Sequence, residues 1–313
     1  METRYPFPAY PNGWFRAAYS SELAAGEIKA LRYFGEDLVL YRGAGGQAYL
    51  LDAHCRHLGA HLGVGGKVEG EQIRCPFHGW KWAGDGSCAE IPYCKRIPKG
   101  AQTRSWPVVE TNGVIFVWHH DRGEAPTYEL PTLPEIGSED WTSLEMRKWK
   151  VRSRWLDMNE NAVDRIHFVY VHGTHTAPET DVEVKDHILA CKSRMKMGSP
   201  QGEFIGGIDT TDYGPGLQTV RVTGVVDTLM VNTSTPIDDE YTDVSFAYSI
   251  SKSGDAANSG VGAAIIKDLE KQMGQDIPIW ENKKYFDRPV LCEEDGQFGV
   301  YRKWMRQFFS EQW

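Results

Sequence analysis

The chain has 313 residues, ten histidines, six cysteines and a formal net charge of −9 at neutral pH. That length makes one or two domains, each able to bury a full core. The acidic balance argues against a nucleic-acid partner, whose phosphates it would repel, and six cysteines are too few for a dense disulfide framework.

The opening Tyr5-Pro6-Phe7-Pro8-Ala9-Tyr10-Pro11 is expected to be extended, since proline biases itself and its predecessor away from helix. Neither a leader pattern nor an apolar run of transmembrane length is found, so a cytoplasmic protein without a transmembrane segment is expected. Gly13-Trp14-Phe15 begins the ordered core. Short strand-like runs follow at 38–41, 48–51, 72–74 and 114–118, separated by turn signals such as Gly84-Asp85-Gly86 and Asn112-Gly113. The spacing predicts a small antiparallel β domain over residues 1–122.

Inside this domain lies the most specific pattern in the chain. Cys55-Arg56-His57 is followed, after seventeen residues, by Cys75-Pro76-Phe77-His78. Two thiolates and two imidazoles brought together in this way are the ligand set of a Rieske [2Fe–2S] centre, thiolates on one iron and imidazoles on the other. Neutral imidazoles raise the reduction potential, to roughly −150 to +300 mV against about −400 mV for an all-Cys plant-type cluster. Zinc also accepts two Cys and two His. Three features favour iron–sulfur: the glycines of Leu62-Gly63-Val64-Gly65-Gly66, the stiffening Pro76, and Trp80 and Trp82, placed to shield a cluster from water. His54 and His61 complete no Cys-x-His step and read as hydrogen-bonding or packing residues. Cys88 and Cys94 read as small buried thiols, and His119 and His120 as surface or packing residues.

The proline-spaced stretch 125–134 reads as a linker into a second domain, residues 123–313. A strand is expected at 149–154. Residues 159–173 lack glycine and proline until Gly173 and begin like a helix. On a helix Asp164 and His167 share a face, but His167 and His172 fall about 140° out of line. A helix that aims both at one metal must therefore end or bulge before His172, and Gly173 suits such an ending. Two histidines and a nearby acid suggest the 2-His-1-carboxylate site of non-heme Fe(II) oxygenases. If Asp164 has another task, the carboxylate comes from 267–295. There Leu269, Met273, Trp280 and Lys284 follow helical spacing, and Asp276 lies on the same mostly apolar side. A buried carboxylate needs compensation, which a metal supplies. Gly274 and Pro278 are expected to distort the helix around it.

Strand-like runs at 190–197, 202–210, 217–227, 229–235 and 243–251 suggest a curved antiparallel sheet wrapped by the two helical segments. Phe168, Val169, Met230, Phe246, Tyr248 and Trp280 are candidates to line its apolar cavity, with ordinary core packing the commoner role for each taken singly. Residues 253–262 read as a small-residue loop and 301–309 as a packing helix. The fold class is α+β.

Over nearly its full length the chain resembles the oxygenase component of Rieske non-heme iron oxygenases. The two cluster motifs carry the likeness, with Asn161-Ala162-Val163-Asp164-Arg165-Ile166-His167 through His172. His57-Leu58-Gly59-Ala60-His61, Ile91-Pro92-Tyr93, Ile279-Trp280-Glu281-Asn282-Lys283 and Arg302-Lys303-Trp304-Met305 resemble the branch of 3-ketosteroid 9α-hydroxylase oxygenases and cholesterol 7-desaturases. The likeness is least over 177–251, where substrate contacts would lie.

This resemblance implies an N-terminal Rieske β domain and a C-terminal helix-grip, START-like catalytic domain. It implies a head-to-tail homotrimer in which the cluster of one subunit serves the iron of the next. Asp164 matches the acid that bridges the two centres, accepting hydrogen bonds from His78 of the neighbour and from His167. A separate ferredoxin reductase would feed electrons from NAD(P)H to a [2Fe–2S] cluster on Cys55, His57, Cys75 and His78. They would pass to Fe(II) on His167, His172 and Asp276, with O2 as co-substrate and a hydrophobic, steroid-like polycyclic molecule hydroxylated. The alternatives are a non-steroid polycyclic or alkaloid substrate, or desaturation or dealkylation. From other classes stand a Rieske electron carrier, which needs only the first domain, and a helix-grip lipid-binding protein without catalysis.

Overall fold

Short strands punctuated by glycine turns fill the first 119 residues of the computed structural model, which describes residues 4–199, 202–224, 226–253 and 260–311. Gly13–Tyr19 pairs antiparallel with Val114–His119, which also pairs with Val108–Thr111. A second sheet is ordered Ile28–Tyr33, Glu36–Arg42, Ala48–Asp52, Ser105–Trp106, and a third Lys67–Glu69, Gln72–Arg74, Lys81–Trp82, Cys88–Glu90. All four predicted runs fall on strands. Ile28–Tyr33 escapes sequence reading because its residues are mostly half-exposed, without a clear apolar alternation.

The strand Glu36–Arg42 shows why this region holds together. Side chains alternate between the two faces of a strand. Leu38 and Leu40 enter one core with Phe15, Leu50 and Ile115, while Val39 and Tyr41 enter another with Leu51, Ile73 and Trp82. Cys55 and Cys75 belong to that second core, so the cluster loops hang from a sheet buried on both faces.

The rest of the chain builds a seven-stranded antiparallel sheet. Its order is Glu145–Val151, Thr242–Ile250, Thr228–Pro236, Leu217–Thr223, Gly202–Tyr213, Ile188–Ser199, Glu179–Lys185. Helix Val261–Asn282 lays Ile266, Met273 and Trp280 on it, seven residues apart and so along one stripe, against Tyr248, Ile250 and Val244. Helix Phe298–Met305 packs Tyr301, Trp304 and Met305 against Trp155, Leu156 and Leu189. No helix among the described residues is long and apolar enough to cross a membrane.

Polar side chains join the two regions. Arg16, 1% exposed, donates to Thr233 Oγ1 at 2.8 Å and pairs with Asp243 at 2.8 Å. Tyr19 Oη lies 2.7 Å from Ser245 Oγ.

Several boundaries differ from expectation. The strand expected at 149–154 runs Glu145–Val151, and the chain then turns into the short helix Trp155–Met158. The run 217–227 stops as a strand at Thr223. The edge strand Glu179–Lys185, mostly charged with only Val182 and Val184 apolar, is not among the expected strands. The 301–309 helix begins earlier, at Phe298. Most of the loop expected at 253–262 lies outside the described residues.

Candidate functional site

The two cluster loops repeat one backbone pattern. The Cys55 amide donates to Ala60 O and the Gly59 amide to Cys55 O, both at 2.9 Å; the Cys75 amide donates to Trp80 O at 2.8 Å and the Gly79 amide to Cys75 O at 3.2 Å. Gly59 and Gly79 close the turns at φ +77° and +73°, a region that favours glycine. The loops thus present Cys55 and Cys75 from buried positions, and bring the His57 and His78 rings to 4.6 Å between centroids. Trp80 stacks on His57 at 4.7 Å, and its indole N–H donates to Tyr93 Oη at 2.8 Å. The tip residues Leu58 and Phe77 stay exposed.

These residues fit an iron–sulfur cluster. His57 Nδ1 is buried without a protein partner among the described residues. Burial pushes the Cys55 thiol's pKa up and the adjacent Cys75 sulfur adds to this, against the His57 amide, so two thiolates here need positive charge between them. The neighbouring His57 and His78 rings suit two imidazoles on one iron, which leaves Cys55 and Cys75 for the other.

His54 and His61 take local hydrogen bonds, His54 to Gly59 O and His61 from the Gly63 amide. Cys88 is buried as expected, whereas Cys94 is exposed and its thiol donates to Arg96 O. His119 packs inside, stacked 4.4 Å from Phe34.

The second constellation joins two segments far apart in sequence. Residues 159–173 are not one helix. A 3-10 turn Asn159–Ala162 gives way to bends, and a single helical turn, His167–Tyr170, follows. The helix ends before His172, and Gly173 reverses the chain at φ +75°. Helix Val261–Asn282 runs unbroken through Pro278 and presents Asp276 from the stripe that carries Met273 and Trp280. His167, His172 and Asp276 each bring one ligand atom within 4.8 Å of the others.

The imidazoles are oriented from behind. His167 Nδ1 donates to the Asp164 backbone carbonyl at 2.5 Å. His172 Nδ1 donates to Gln275 Oε1 at 3.2 Å, and its Nε2 lies 3.5 Å from Asp276 Oδ2. With Nδ1 spent on both rings, each offers the Nε2 lone pair, the arrangement a metal-binding histidine needs. Burial pulls the His167 pKa down, opposed by the Asp164 and Asp276 carboxylates. Burial also works against the His172 imidazolium, but Asp276, Gln275 and Asp268 together outweigh it and the net shift is upward.

Asp164 stands outside this group of three. Its Oδ1 accepts the Ile166 and His167 amides at 3.0 and 3.2 Å, and its Oδ2 lies 4.0 Å from His167 Nδ1. Sequence reading missed what braces the two segments. Asp157, fully buried, pairs with Lys283 at 3.0 Å, and Glu160 takes Arg302 at 2.7 Å and Lys283 at 3.5 Å. The Lys283 pairs tie residues 155–162 to the end of the helix that carries Asp276, and the Arg302 pair ties them to the helix Phe298–Met305.

His167, His172 and Asp276 open into a mostly apolar cavity. Of the expected lining residues, Phe168, Met230, Phe246 and Trp280 are present. Tyr248 is instead fully buried, packed with Ile250 and Ile266, and Val169 does not reach the cavity. Five amides that were not among the expected lining, Asn159, Asn161, Gln218, Asn232 and Gln272, also line it.

Residues 117–309 match the family described as the 3-Ketosteroid 9alpha-hydroxylase C-terminal domain, and residues 13–107 match the Rieske [2Fe-2S] domain. The chain is 32% identical, over 96% of its length and 84% of the relative's, to the oxygenase component of 3-ketosteroid-9-alpha-monooxygenase from Rhodococcus rhodochrous. It is also 32% identical, over 97% of its length and 72% of the relative's, to cholesterol 7-desaturase nvd from Xenopus laevis. Among solved structures, dicamba monooxygenase bound to dicamba superimposes with a TM-score of 0.77 over 95% of this chain and 97% of the other. At 19% identity that likeness is one of fold.

Proposed function

The chain belongs to the Rieske non-heme iron oxygenases of the 3-ketosteroid 9α-hydroxylase family, and from that premise we propose that its cavity takes a hydrophobic, steroid-like polycyclic molecule and that the product is hydroxylated. It is an oxygenase component, working with O2 and with electrons that a separate reductase draws from NAD(P)H. The observation that carries the site assignment is the convergence of His167, His172 and Asp276 at the wall of an apolar cavity.

We assign Cys55, His57, Cys75 and His78 as the cluster ligands, within residues 1–122, and His167, His172 and Asp276 as the iron ligands, within residues 123–313. When bound, the cluster relays single electrons and the mononuclear iron activates O2. The protein's own contribution is position. Asp164 and Gln275 hold the two imidazoles with Nε2 forward. Phe168, Met230, Phe246 and Trp280 exclude water and set which C–H bond faces the site. Asp164 is assigned as the link between His78 of a neighbouring copy and His167 in a head-to-tail trimer. Exposed Leu58 and Phe77 beside the cluster histidines, 65% and 62% accessible, support a face that another copy covers. A cytoplasmic setting fits a cluster that needs reducing surroundings.

The test is turnover with a reductase under labelled O2, on a panel of steroids and polycyclic amines, with products read by mass spectrometry. The expected product is a steroid carrying one labelled hydroxyl. A dealkylated amine with no steroid product overturns the substrate reading. An unlabelled alkene moves the outcome to desaturation, in line with the equal identity to the relative named a desaturase.

A further inference from the structure

The charge of this chain is unevenly spread. Its net charge is −9, yet the two cluster loops, residues 53–66 and 75–80, and the loop 91–101 hold Arg56, Lys95, Arg96 and Lys99 and not one Asp or Glu. All four cations are exposed, and none has an ion pair among the described residues. The acids close by in sequence are engaged elsewhere. Glu69 pairs with Arg74 at 2.7 Å and Lys81 at 3.1 Å, and Glu90 with Lys81 at 2.7 Å. Glu71 accepts the Gly45 amide at 2.7 Å and the Tyr49 hydroxyl at 3.1 Å.

The loop 91–101 is fastened to the cluster motifs. Ile91 is buried in one core with Cys55, Cys75 and Trp80. Tyr93 Oη accepts the Trp80 indole N–H at 2.8 Å, and Trp80 stacks on His57 at 4.7 Å. Tyr93 is 63% exposed and Ile97 44%. One surface aromatic therefore leads through one buried ring to a cluster histidine. Two exposed apolar side chains interleaved with Lys95, Arg96 and Lys99 have the make-up of a protein interface: an apolar and aromatic centre with charge around it.

We propose that the loop 91–101, with Tyr93 at its centre, is where the electron donor docks, and that the donor presents an acidic face. The inference rests on the reading of a cluster fed by a separate reductase, and adds the docking face and the sign of its partner. An acidic protein is repelled by most of this chain and attracted here, so the field both speeds the encounter and orients it. One electron crosses per encounter: the donor is oxidised by one, the cluster is reduced by one, and no bond is made or broken. The loop tips Leu58 and Phe77 are left to the neighbouring copy.

The test is stopped-flow reduction of the cluster-loaded protein, followed by cluster absorption, with two donors. One is a reduced plant-type [2Fe–2S] ferredoxin, an acidic protein; the other is reduced methyl viologen, a small cation. The ferredoxin rate on wild type should fall about tenfold as ionic strength rises from about 20 to about 300 mM. The triple variant Lys95→Glu, Arg96→Glu, Lys99→Glu should lose about tenfold at low salt and most of the salt dependence. Its rate with viologen should not fall, which shows an intact cluster. Lys185→Glu, Lys192→Glu, Lys271→Glu changes net charge equally on exposed residues of the second domain and should slow ferredoxin far less. If the loop variant does not fold, Tyr93→Glu makes the same comparison. A ferredoxin rate indifferent to salt, or slowed equally by both triple variants, overturns the docking site while normal viologen reduction leaves the cluster reading standing. A loop variant that loses self-association in sedimentation assigns the loop to a second copy of this chain and also overturns it. No reduction by viologen in any form means that no redox cluster is there, and both readings fall.

Discussion

His172 Nε2 lies 3.5 Å from Asp276 Oδ2, while its Nδ1 is held by Gln275, the residue just before Asp276 in the same helix. One helix therefore both aims the imidazole and supplies the carboxylate beside it. Asp276→Ala should empty the mononuclear site and leave the cluster alone. Iron analysis should fall from about three to about two atoms per chain, the visible absorption of the cluster should persist, and turnover should stop. A wild-type protein that never exceeds two irons would instead be an electron carrier.

Gln275→Leu keeps all three proposed ligands but leaves the His172 ring free to rotate. Loss of such a supporting hydrogen bond typically costs 10–100-fold in metal affinity or activity, roughly. The expected result is iron that is lost to a chelator far faster than from wild type, with cluster content intact. Gln275→Glu retains an acceptor for Nδ1–H and should recover most of the difference. Equal retention of iron in the Leu variant would show that packing alone orients His172.

Asp164→Asn tests the assigned link between subunits. Asn can still accept the Ile166 and His167 amides that Asp164 Oδ1 now takes, and the carbonyl that receives His167 Nδ1 belongs to the backbone. Both metal centres should load, and turnover should fall by orders of magnitude. Should the variant lose its mononuclear iron instead, Asp164 is a ligand and the assignment of Asp276 fails.

What could be read from the sequence follows how local each feature is. Cys55 with His57 and Cys75 with His78 are set by short turns, so spacing alone pointed to them, and the glycines that close those turns stand in the motifs. His167 and His172 are five residues apart, and helical geometry required a break that the structure places after Tyr170. Asp276 was legible because it shares a helical stripe with Met273 and Trp280. Gln275 was not, because nothing in a helix pattern says which polar side chain meets an imidazole a hundred residues away. The row in which Gln218 donates to Asp212 Oδ1 and accepts from Asn232 Nδ2 was invisible for a related reason. It is made by strand register, and a one-residue slip would send each of these side chains to the other face.

The two turn glycines should respond differently to alanine. Both sit in left-handed backbone, where a side chain costs about 1 kcal/mol. A Cβ on Gly59 meets nothing within 4 Å, but one on Gly79 would lie 3.1 Å from Pro92 Cγ. Gly79→Ala should therefore lower the thermal midpoint and cluster content more than Gly59→Ala does. The reverse order would mean that strain around the first loop dominates.

His119 gives a prediction about pH that is independent of either metal centre. Its ring is buried against Phe34, and its Nδ1 donates to the Pro11 carbonyl at 2.9 Å. Burial pushes its pKa down to about 4, with the Pro11 carbonyl opposing. In the unfolded chain an ordinary histidine takes up its proton near pH 6.5, roughly. Between those two values the unfolded state binds the proton and the folded state does not, so stability is whole above the upper value and drains away as pH falls toward the lower one. At pH 5.5 the loss from this residue alone is roughly 1 kcal/mol. Urea midpoints at pH 7.5 and 5.5 measure it. His119→Phe keeps an aromatic ring on Phe34 and removes the titration, so its midpoint should drop less between the two pH values than that of wild type. A variant that loses as much stability as wild type over this interval would mean that His119 is already protonated in the folded protein at pH 5.5, or that the ring opens to water before the fold does.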